Sequence, residues 1–292
     1  MKIWQLRLAG VAGALLSVAC GSSNPTGSGG TGTAHFTTWG EEYIEDGIPA
    51  DPEGQTGFID GWSVKYEKFL VNFQNIRVAT TAGKVAAEFP GSLLFDNTQP
   101  DVKAIKEFAD LPAQAYTDVS YEIAPVTTTS ELSDSASAAD KALMLAGGYS
   151  VYVAGTARKD AASLHFAWGF AIGTHYAGCH SEQDGKDQLG IVVTNNASLE
   201  VQLTTHGDHL FYDRLQADDV AQKTSLRFDS LAAADADADG ELTLEELDAK
   251  VLDVKLYNPS GLDAATQGAF VSALARTIGH FRGEGECTIS KL

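Results

Sequence analysis

Alternation of apolar and polar side chains is the dominant pattern of residues 35–215, and it predicts β-structure. The clearest case is 62–78, where the alternation predicts one long half-buried strand or two successive strands. Shorter segments of this kind, separated by Gly, Asn, Asp and Pro, predict further strands at 114–123, 149–157, 163–172, 189–193 and 199–205. Short strands at this spacing are typical of an antiparallel β-sandwich or barrel.

Three other segments carry apolar residues at helical spacing. Residues 101–110 and 135–145 are predicted as short helices between strands. Residues 263–280 are predicted as a longer helix with Phe270 and Leu274 on one face. The pattern therefore predicts a mainly β fold, an antiparallel β-sandwich over 35–217, followed by a small helical unit over 218–292.

Residues 235–246, DADADGELTLEE, place oxygen-bearing groups at the spacing that a hard divalent cation requires. Gly240 occupies the position where the backbone must bend sharply around the ion. The predicted ligands are the carboxylates of Asp235, Asp237 and Asp239, the carbonyl of Glu241, the hydroxyl or a bridging water of Thr243, and the bidentate carboxylate of Glu246. The alternative interpretation is a solvated acidic loop.

This stretch resembles the EF-hand loop, and the resemblance implies a bound Ca²⁺ with a helix on either side. EF-hands usually occur in pairs, but the chain contains no second aspartate-rich loop of this kind. We therefore expect the loop to pack against other parts of the chain. A solitary, integrated site suits a structural calcium ion better than a sensor that opens a groove.

The N-terminus has the pattern of a secretory signal. Lys2 and Arg7 precede an apolar run over 8–19 that is shorter than a membrane span, so residues 1–19 are predicted as a signal peptide. The Gly- and Ser-rich residues 20–34 are predicted as a flexible tether that begins at Cys20.

Residues 15–20, LLSVAC, resemble a bacterial lipobox, although Ser17 stands where that motif prefers leucine. The resemblance implies a lipid on Cys20 and a membrane anchor; a plain secretory signal is the alternative. Gly21 after Cys20 resembles lipoproteins of the outer membrane, facing either the periplasm or the cell surface.

The formal charge of −19 over 292 residues restricts the classes of partner. Nucleic acid and anionic lipid surfaces would be repelled, so the charged partners implied are metal cations, while the charge also keeps an exported protein soluble. The sequence identifies no protein partner. Cys179 and Cys287 are predicted to form a disulfide in an oxidising compartment, with two free thiols as the alternative.

The middle of the chain resembles the MbnP-like copper-binding lipoproteins. The resemblance is carried by residues 69–73, 111–116, Gly148-Tyr149 before a Val-Tyr-Val strand, 168–170 and Cys179. It implies a β-sandwich and copper binding. The chain departs from that family in its EF-hand-like loop and in lacking a methionine-rich ligand set.

His206, Asp208 and His209 form the second stretch that could carry chemistry. Imidazole and carboxylate together suit copper, zinc or iron, and His165, His175 or His180 could complete a site. The alternative is a group of hydrogen-bonding surface side chains with Asp208 capping a turn.

A catalytic function is less well supported by the sequence. Residues 204–209 also resemble the His-x-His-x-Asp-His motif of metallo-β-lactamase-type hydrolases, but the first histidine is missing. The nucleophile-elbow, phosphate-loop and Cys-x-x-Cys motifs are absent. We therefore expect a non-enzymatic protein whose calcium is mainly structural, with copper or zinc binding at His206, Asp208 and His209 as the alternative function.

Overall fold

The computed structural model describes residues 29–54, 56–215, 224–259 and 261–292. The predicted signal peptide, Cys20 and most of the predicted tether lie outside the described residues, as does the predicted boundary between 217 and 218. Within the described residues, no helix has both the length and the apolar character needed to cross a membrane.

The described residues form a mainly β structure, as the sequence predicts. The strands are β1 (Thr31–Trp39), β2 (Ser63–Ala79), β3 (Val85–Asp96), β4 (Lys103–Pro112), β5 (Ala115–Tyr116), β6 (Asp118–Ile123), β7 (Glu131–Leu132), β8 (Val151–Lys159), β9 (Ala162–Phe170), β10 (Thr174–Ala177), β11 (His180–Gln183), β12 (Lys186–Leu189), β13 (Ile191–Val192), β14 (Ser198–Thr205), β15 (Glu241–Leu242), β16 (Gly279–Phe281) and β17 (Thr288–Lys291). The helices are α1 (Glu41–Glu45), α2 (Ala138–Gly147), α3 (Asp229–Ala232), α4 (Leu244–Ala249) and α5 (Gln267–Leu274), with a 3₁₀ turn at Asp208–Phe211.

The described part of the chain contains four sheets, of which two are large. One of these has the order β16-β14-β1-β4, and the larger, which is curled, has the order β15-β9-β8-β2-β6-β10-β17 with β3 paired to β2 and β7 to β3. Strands β11 and β12 form a two-stranded sheet, and so do β5 and β13. Most neighbours are antiparallel, as predicted. The pairs β1–β14, β3–β7 and β9–β15 are parallel, which corrects the expectation of a wholly antiparallel arrangement.

Strand β2 is the centre of the larger sheet. It is a single long strand that pairs with β8 in its first half and with β3 and β6 in its second half. The register shifts around Asn75, whose φ of 52° is left-handed. Such a bulge bends a strand and increases its twist, which is consistent with the curled shape of the sheet.

A continuous aromatic core joins the larger sheet to the C-terminal third of the chain. Phe166 and Trp168 of β9 are fully buried, and both contact Phe211 of the 3₁₀ turn. Phe211 also contacts Phe228, which directly precedes α3. Burial of each large side chain contributes about 1.5–3 kcal/mol. The segment that carries the acidic loop is thus packed against the main core.

The C-terminal segment returns to both sheets. Strand β16 pairs with β14, and β17 pairs with β10. The predicted disulfide between Cys179 and Cys287 is confirmed. Residues 279–291 are thus connected to strands of both large sheets and, through Cys287, to Cys179.

The structure corrects three predicted elements. Residues 101–110, predicted as a helix, lie largely in strand β4. The predicted helix over 263–280 is shorter, since α5 ends at Leu274 and the chain then enters β16. The predicted tether extends too far, because β1 begins at Thr31. The predicted helix at 135–145 is confirmed as α2, shifted by a few residues.

Candidate metal centre

Two antiparallel strands bring His206 and His280 together. Thr204 and Thr205 at the end of β14 lie opposite His280 and Gly279 of β16. The chain continues directly to His206, whose backbone N–H donates to the carbonyl of Ile278 at 2.9 Å. The imidazole rings of His206 and His280 consequently lie close together, with centroids 4.0 Å apart.

The 3₁₀ turn adds the third imidazole. Gly207 allows this turn to pack tightly, because a Cβ at that position would lie 2.7 Å from Ile44 and 2.8 Å from Tyr66. The Tyr66 hydroxyl also donates to the Gly207 carbonyl at 2.6 Å. The ring of His209 then lies beside the other two imidazoles. Its centroid is 5.4 Å from that of His206 and 5.0 Å from that of His280.

The three-histidine centre, defined as His206, His209 and His280, has the geometry of a metal site. One ring nitrogen from each residue lies within 4.8 Å of the others. The side chains are buried, with 7%, 2% and 2% of their respective residue surfaces exposed. Three imidazoles at this separation can bind one Cu²⁺ or Zn²⁺ ion and leave a further coordination position.

Hydrogen bonds fix the tautomer of His209. Its Nδ1 lies 2.9 Å from the Thr277 hydroxyl, which donates its own proton to the Leu274 carbonyl at 2.8 Å. Because a hydroxyl has one proton, Thr277 must accept from Nδ1–H. Nε2 of His209 therefore keeps its lone pair for a metal, in the arrangement that outer hydrogen bonds give to metal-binding histidines.

Burial keeps two of the imidazoles neutral. Burial and, to a smaller extent, the neighbouring histidines together lower the pKa of His280 to about 3. The same two causes lower the pKa of His209 well below its usual range. A neutral imidazole is the form that binds a metal. At neutral pH these two side chains are therefore already in the ligand state.

His206 is under the opposite influence. Burial lowers its pKa, but the net shift is upward, because its Nε2 lies 3.2 Å from the Glu41 carboxylate and Asp208 is also close. Glu41 has a φ of 56°, a left-handed conformation that is uncommon for a residue with a side chain and is often found at functional sites. A metal ion at His206 would take the place of the proton that these carboxylates favour.

No family model, curated protein or solved structure matches the chain. The interpretation of the three-histidine centre therefore rests on the chemistry and geometry of its own residues. Buried polar groups normally have a hydrogen-bond partner, so the buried atoms around this centre that lack one require an explanation.

Buried polar atoms around the centre fit a cation. Asp208 accepts a hydrogen bond from the Tyr212 hydroxyl at 2.8 Å through Oδ2, whereas its buried Oδ1 has no hydrogen-bond partner. Nδ1 of His280 is likewise buried and makes no hydrogen bond, although the Glu286 carboxylate lies 3.9 Å away. Burial raises the pKa of Asp208, because the charged form is poorly solvated there. Asp208 thus lies beside the three-histidine centre but is not one of its three members.

The other candidate histidines lie elsewhere. His165 on β9 pairs with Glu241, His175 on β10 lies 3.7 Å from Glu122, and His180 on β11 pairs with Asp187. Among the described residues, the groups of three prospective ligands include none of these histidines. The residue that joins His206 and His209 in such a group is His280.

The acidic loop forms a second candidate metal site. Oxygens of Asp235, Asp237 and Glu246 lie within 4.8 Å of one another. Gly240, with a φ of 85°, turns its N–H to the Asp235 carboxylate at 3.2 Å. The Glu246 carboxylate accepts from both the N–H and the hydroxyl of Thr243 at 2.9 Å. The loop therefore brings three of the predicted calcium ligands together.

Two other predicted ligands in the loop are engaged locally. Asp239 accepts from the Glu241 N–H at 2.8 Å, and the Glu241 side chain lies 2.7 Å from Nδ1 of His165. The predicted ligand at Glu241 is its backbone carbonyl. The contact between the Glu241 side chain and His165 therefore does not conflict with a bound cation.

The loop is held by the larger sheet, as its solitary occurrence in the sequence predicts. Strand β15 pairs in parallel with β9, and the indole N–H of Trp168 donates to the Leu242 carbonyl at 2.8 Å. The flanking helices α3 and α4 have four and six residues. The site is thus supported mainly by the sheet, and only slightly by its own helices.

Proposed function

We propose that this chain is a copper- or zinc-binding protein that holds the metal with His206, His209 and His280. The observation that carries the proposal is the convergence of three buried imidazoles, one nitrogen of each lying within 4.8 Å of the others. Imidazole suits both metals. The function proposed is metal capture by a non-enzymatic protein, which the geometry supports better than it supports calcium binding alone.

The electrostatic surroundings support a cation rather than an empty polar core. Glu41 and Asp208 both lie close enough to His206 to influence its pKa. A divalent ion at the three-histidine centre would interact favourably with the partly buried Glu41 and the buried Asp208. His209, fixed by Thr277, presents its free nitrogen without a change of tautomer.

Removal of two ligands tests the proposal. We expect His206→Ala combined with His209→Ala to abolish saturable Cu²⁺ and Zn²⁺ binding while Ca²⁺ binding stays unchanged, because the acidic loop is built from other residues. Calorimetric titration, with Ca²⁺ present to saturate the acidic loop, measures each affinity. The matched control is His175→Ala, which removes a half-buried histidine outside the centre. Wild-type Cu²⁺ or Zn²⁺ affinity in the double variant would refute the proposal.

We also propose that residues 235–246 bind Ca²⁺ as an EF-hand-like site with a structural role. The convergence of Asp235, Asp237 and Glu246 around the turn at Gly240 supports it. Asp235 contributes a further indication, since its buried Oδ1 has no hydrogen-bond partner. An ion that binds only the folded chain raises its stability by RT ln(1 + [L]/Kd), about 2.7 kcal/mol at a hundredfold excess over Kd.

The effect of Glu246→Gln tests the calcium site. We expect this variant to lose most of the calcium-dependent rise in melting temperature, because an amide cannot supply the bidentate negative ligand. The amide oxygen can still accept from Thr243, so the start of α4 should be preserved. The control is Glu245→Gln, an exposed neighbour in the same helical turn. Scanning calorimetry with and without Ca²⁺ provides the measurement, and an unchanged calcium response in Glu246→Gln would contradict a calcium site here.

The cellular setting proposed for this function is extracytoplasmic. The Cys179–Cys287 disulfide supports an oxidising compartment. Together with the sequence signals at 1–19 and Cys20, it leads us to propose a lipoprotein anchored in the outer membrane. In this proposal the two sheets correspond to a β-sandwich, and metal ions are the partners.

A further inference from the structure

An acidic cavity adjoins the three-histidine centre. It has a volume of about 570 Å³, and its lining includes Trp39, Glu41, Glu42, Tyr43 and Glu284. Three of the nine lining residues carry a carboxylate, and none carries a positive charge. A cleft lined by charges of one sign concentrates ions of the opposite sign and accelerates their association.

The acidic cavity meets the metal centre at His206. One ligand atom each from Glu41, His206 and Glu284 lies within 4.8 Å of the others, and His206 also belongs to the three-histidine centre. Neither Glu41 nor Glu284 belongs to that centre, and both line the cavity. The two carboxylates therefore lie between the lining of the cavity and His206 of the three-histidine centre.

The two carboxylates differ in their exposure. Glu284 is exposed and lies in the turn that follows β16, whereas 19% of the Glu41 side chain is exposed and its oxygen contacts buried His206. Exposure decreases from Glu284 to Glu41 to His206. A hydrated ion must lose its bound water before it binds buried imidazoles. A decrease in solvent exposure from Glu284 through Glu41 to His206 would allow that water to be lost in steps.

We propose that Glu284 and Glu41 form a capture site in which a hydrated Cu²⁺ or Zn²⁺ ion binds first and from which it is transferred to the three-histidine centre. Each transfer step exchanges a bound water or carboxylate oxygen for an imidazole nitrogen, with no change in oxidation state. The inference rests on the metal function proposed above and assigns Glu284 a role in loading, not in the final coordination of the metal.

The test compares loading and release rates in Glu284→Gln and wild type. We expect both rates to decrease by about threefold to tenfold, part of the 10- to 10³-fold acceleration that a charged cleft can supply. Loading and release should slow together, because an intermediate on the path affects both rates, and the Cu²⁺ spectrum of the loaded chain should stay unchanged, because Glu284 does not coordinate the metal in the three-histidine centre. Stopped-flow fluorescence, with Trp39 beside the site as a reporter, measures Cu²⁺ loading, and extraction by a chelator measures release.

Glu42→Gln is the matched control. It removes the same charge from the same cavity, but Glu42 does not belong to the group formed by Glu41, His206 and Glu284. We expect a smaller effect than in Glu284→Gln. An equal effect would overturn the capture role, since it would assign the acceleration to total charge.

Two further outcomes would also overturn it. Wild-type loading by Glu284→Gln would show that the ion does not pass this carboxylate. Faster release with unchanged loading would make Glu284 a ligand of the bound metal. Failure of the wild-type chain itself to bind Cu²⁺ or Zn²⁺ would instead refute the proposed function, so the two failures are distinguishable.

Discussion

The variant His280→Ala should bind Cu²⁺ and Zn²⁺ more than about 100-fold more weakly than the wild type. Loss of an outer hydrogen-bond partner alone typically costs a metal site 10- to 100-fold in affinity, and His280 supplies one of three ligands. Competition with a chromophoric chelator, in the presence of Ca²⁺, measures the change.

A second variant separates a lost ligand from a damaged fold. His280→Gln keeps a polar side chain of comparable size on β16, and we expect it to fold and still lose most of the affinity. The control His180→Ala removes a half-exposed histidine that is ion-paired with Asp187, and it should bind metal as the wild type does. Wild-type affinity in both His280 variants would show that the three-histidine centre is not the metal site.

Removal of the disulfide should have the second large effect. We expect Cys179→Ser combined with Cys287→Ser to lower the free energy of unfolding by about 2–5 kcal/mol, the usual effect of losing a native disulfide. The bond joins positions separated by 108 residues, and it therefore restricts the unfolded chain strongly. Chemical denaturation monitored by tryptophan fluorescence provides the measurement.

The segment of chain that the disulfide closes into a loop also contains most of the candidate metal ligands. All three histidines of the metal centre and the whole acidic loop lie between Cys179 and Cys287. We expect a reductant to destabilise the wild type to the level of the double variant and to leave the double variant unchanged. A difference below about 1 kcal/mol between oxidised wild type and double variant would contradict the stabilising role of this bond.

The sequence predicts the β-structure where side chains alternate between core and solvent. The long segment at 62–78 and the segment at 199–205 coincide closely with β2 and β14. Burial alternates at the start of β2, which explains the pattern there, whereas residues 69–73 of β2 and the last three residues of β14 are all buried. The cysteine pairing is also predictable, because only two cysteines remain once Cys20 is assigned to lipid.

Strand β4 shows why a periodic pattern can mislead. Ile105, Phe108 and Leu111 are buried at intervals of three residues, which is the spacing expected of a helix. The pairing with β1 shifts register twice, and each shift inserts one extra residue into β4. These bulges convert the two-residue period of a strand into an apparent three-residue period.

The metal centre is only partly predictable for a different reason. His206 and His209 are three positions apart in the sequence, and this spacing with Asp208 between them predicts a candidate site. His280 joins them through the long-range pairing of β16 with β14, within a segment that the sequence predicts as helical. Glu41 reaches His206 from the other end of the chain. Contacts of this kind leave no local pattern in a single sequence.

Anomalous diffraction from crystals of the chain loaded with Zn²⁺ in the presence of Ca²⁺ would locate the bound metal. We expect a zinc peak bonded to one nitrogen each of His206, His209 and His280, at the usual Zn–N distance of about 2.0–2.1 Å. A zinc peak found only at the acidic loop, or at a surface histidine such as His180, would contradict it.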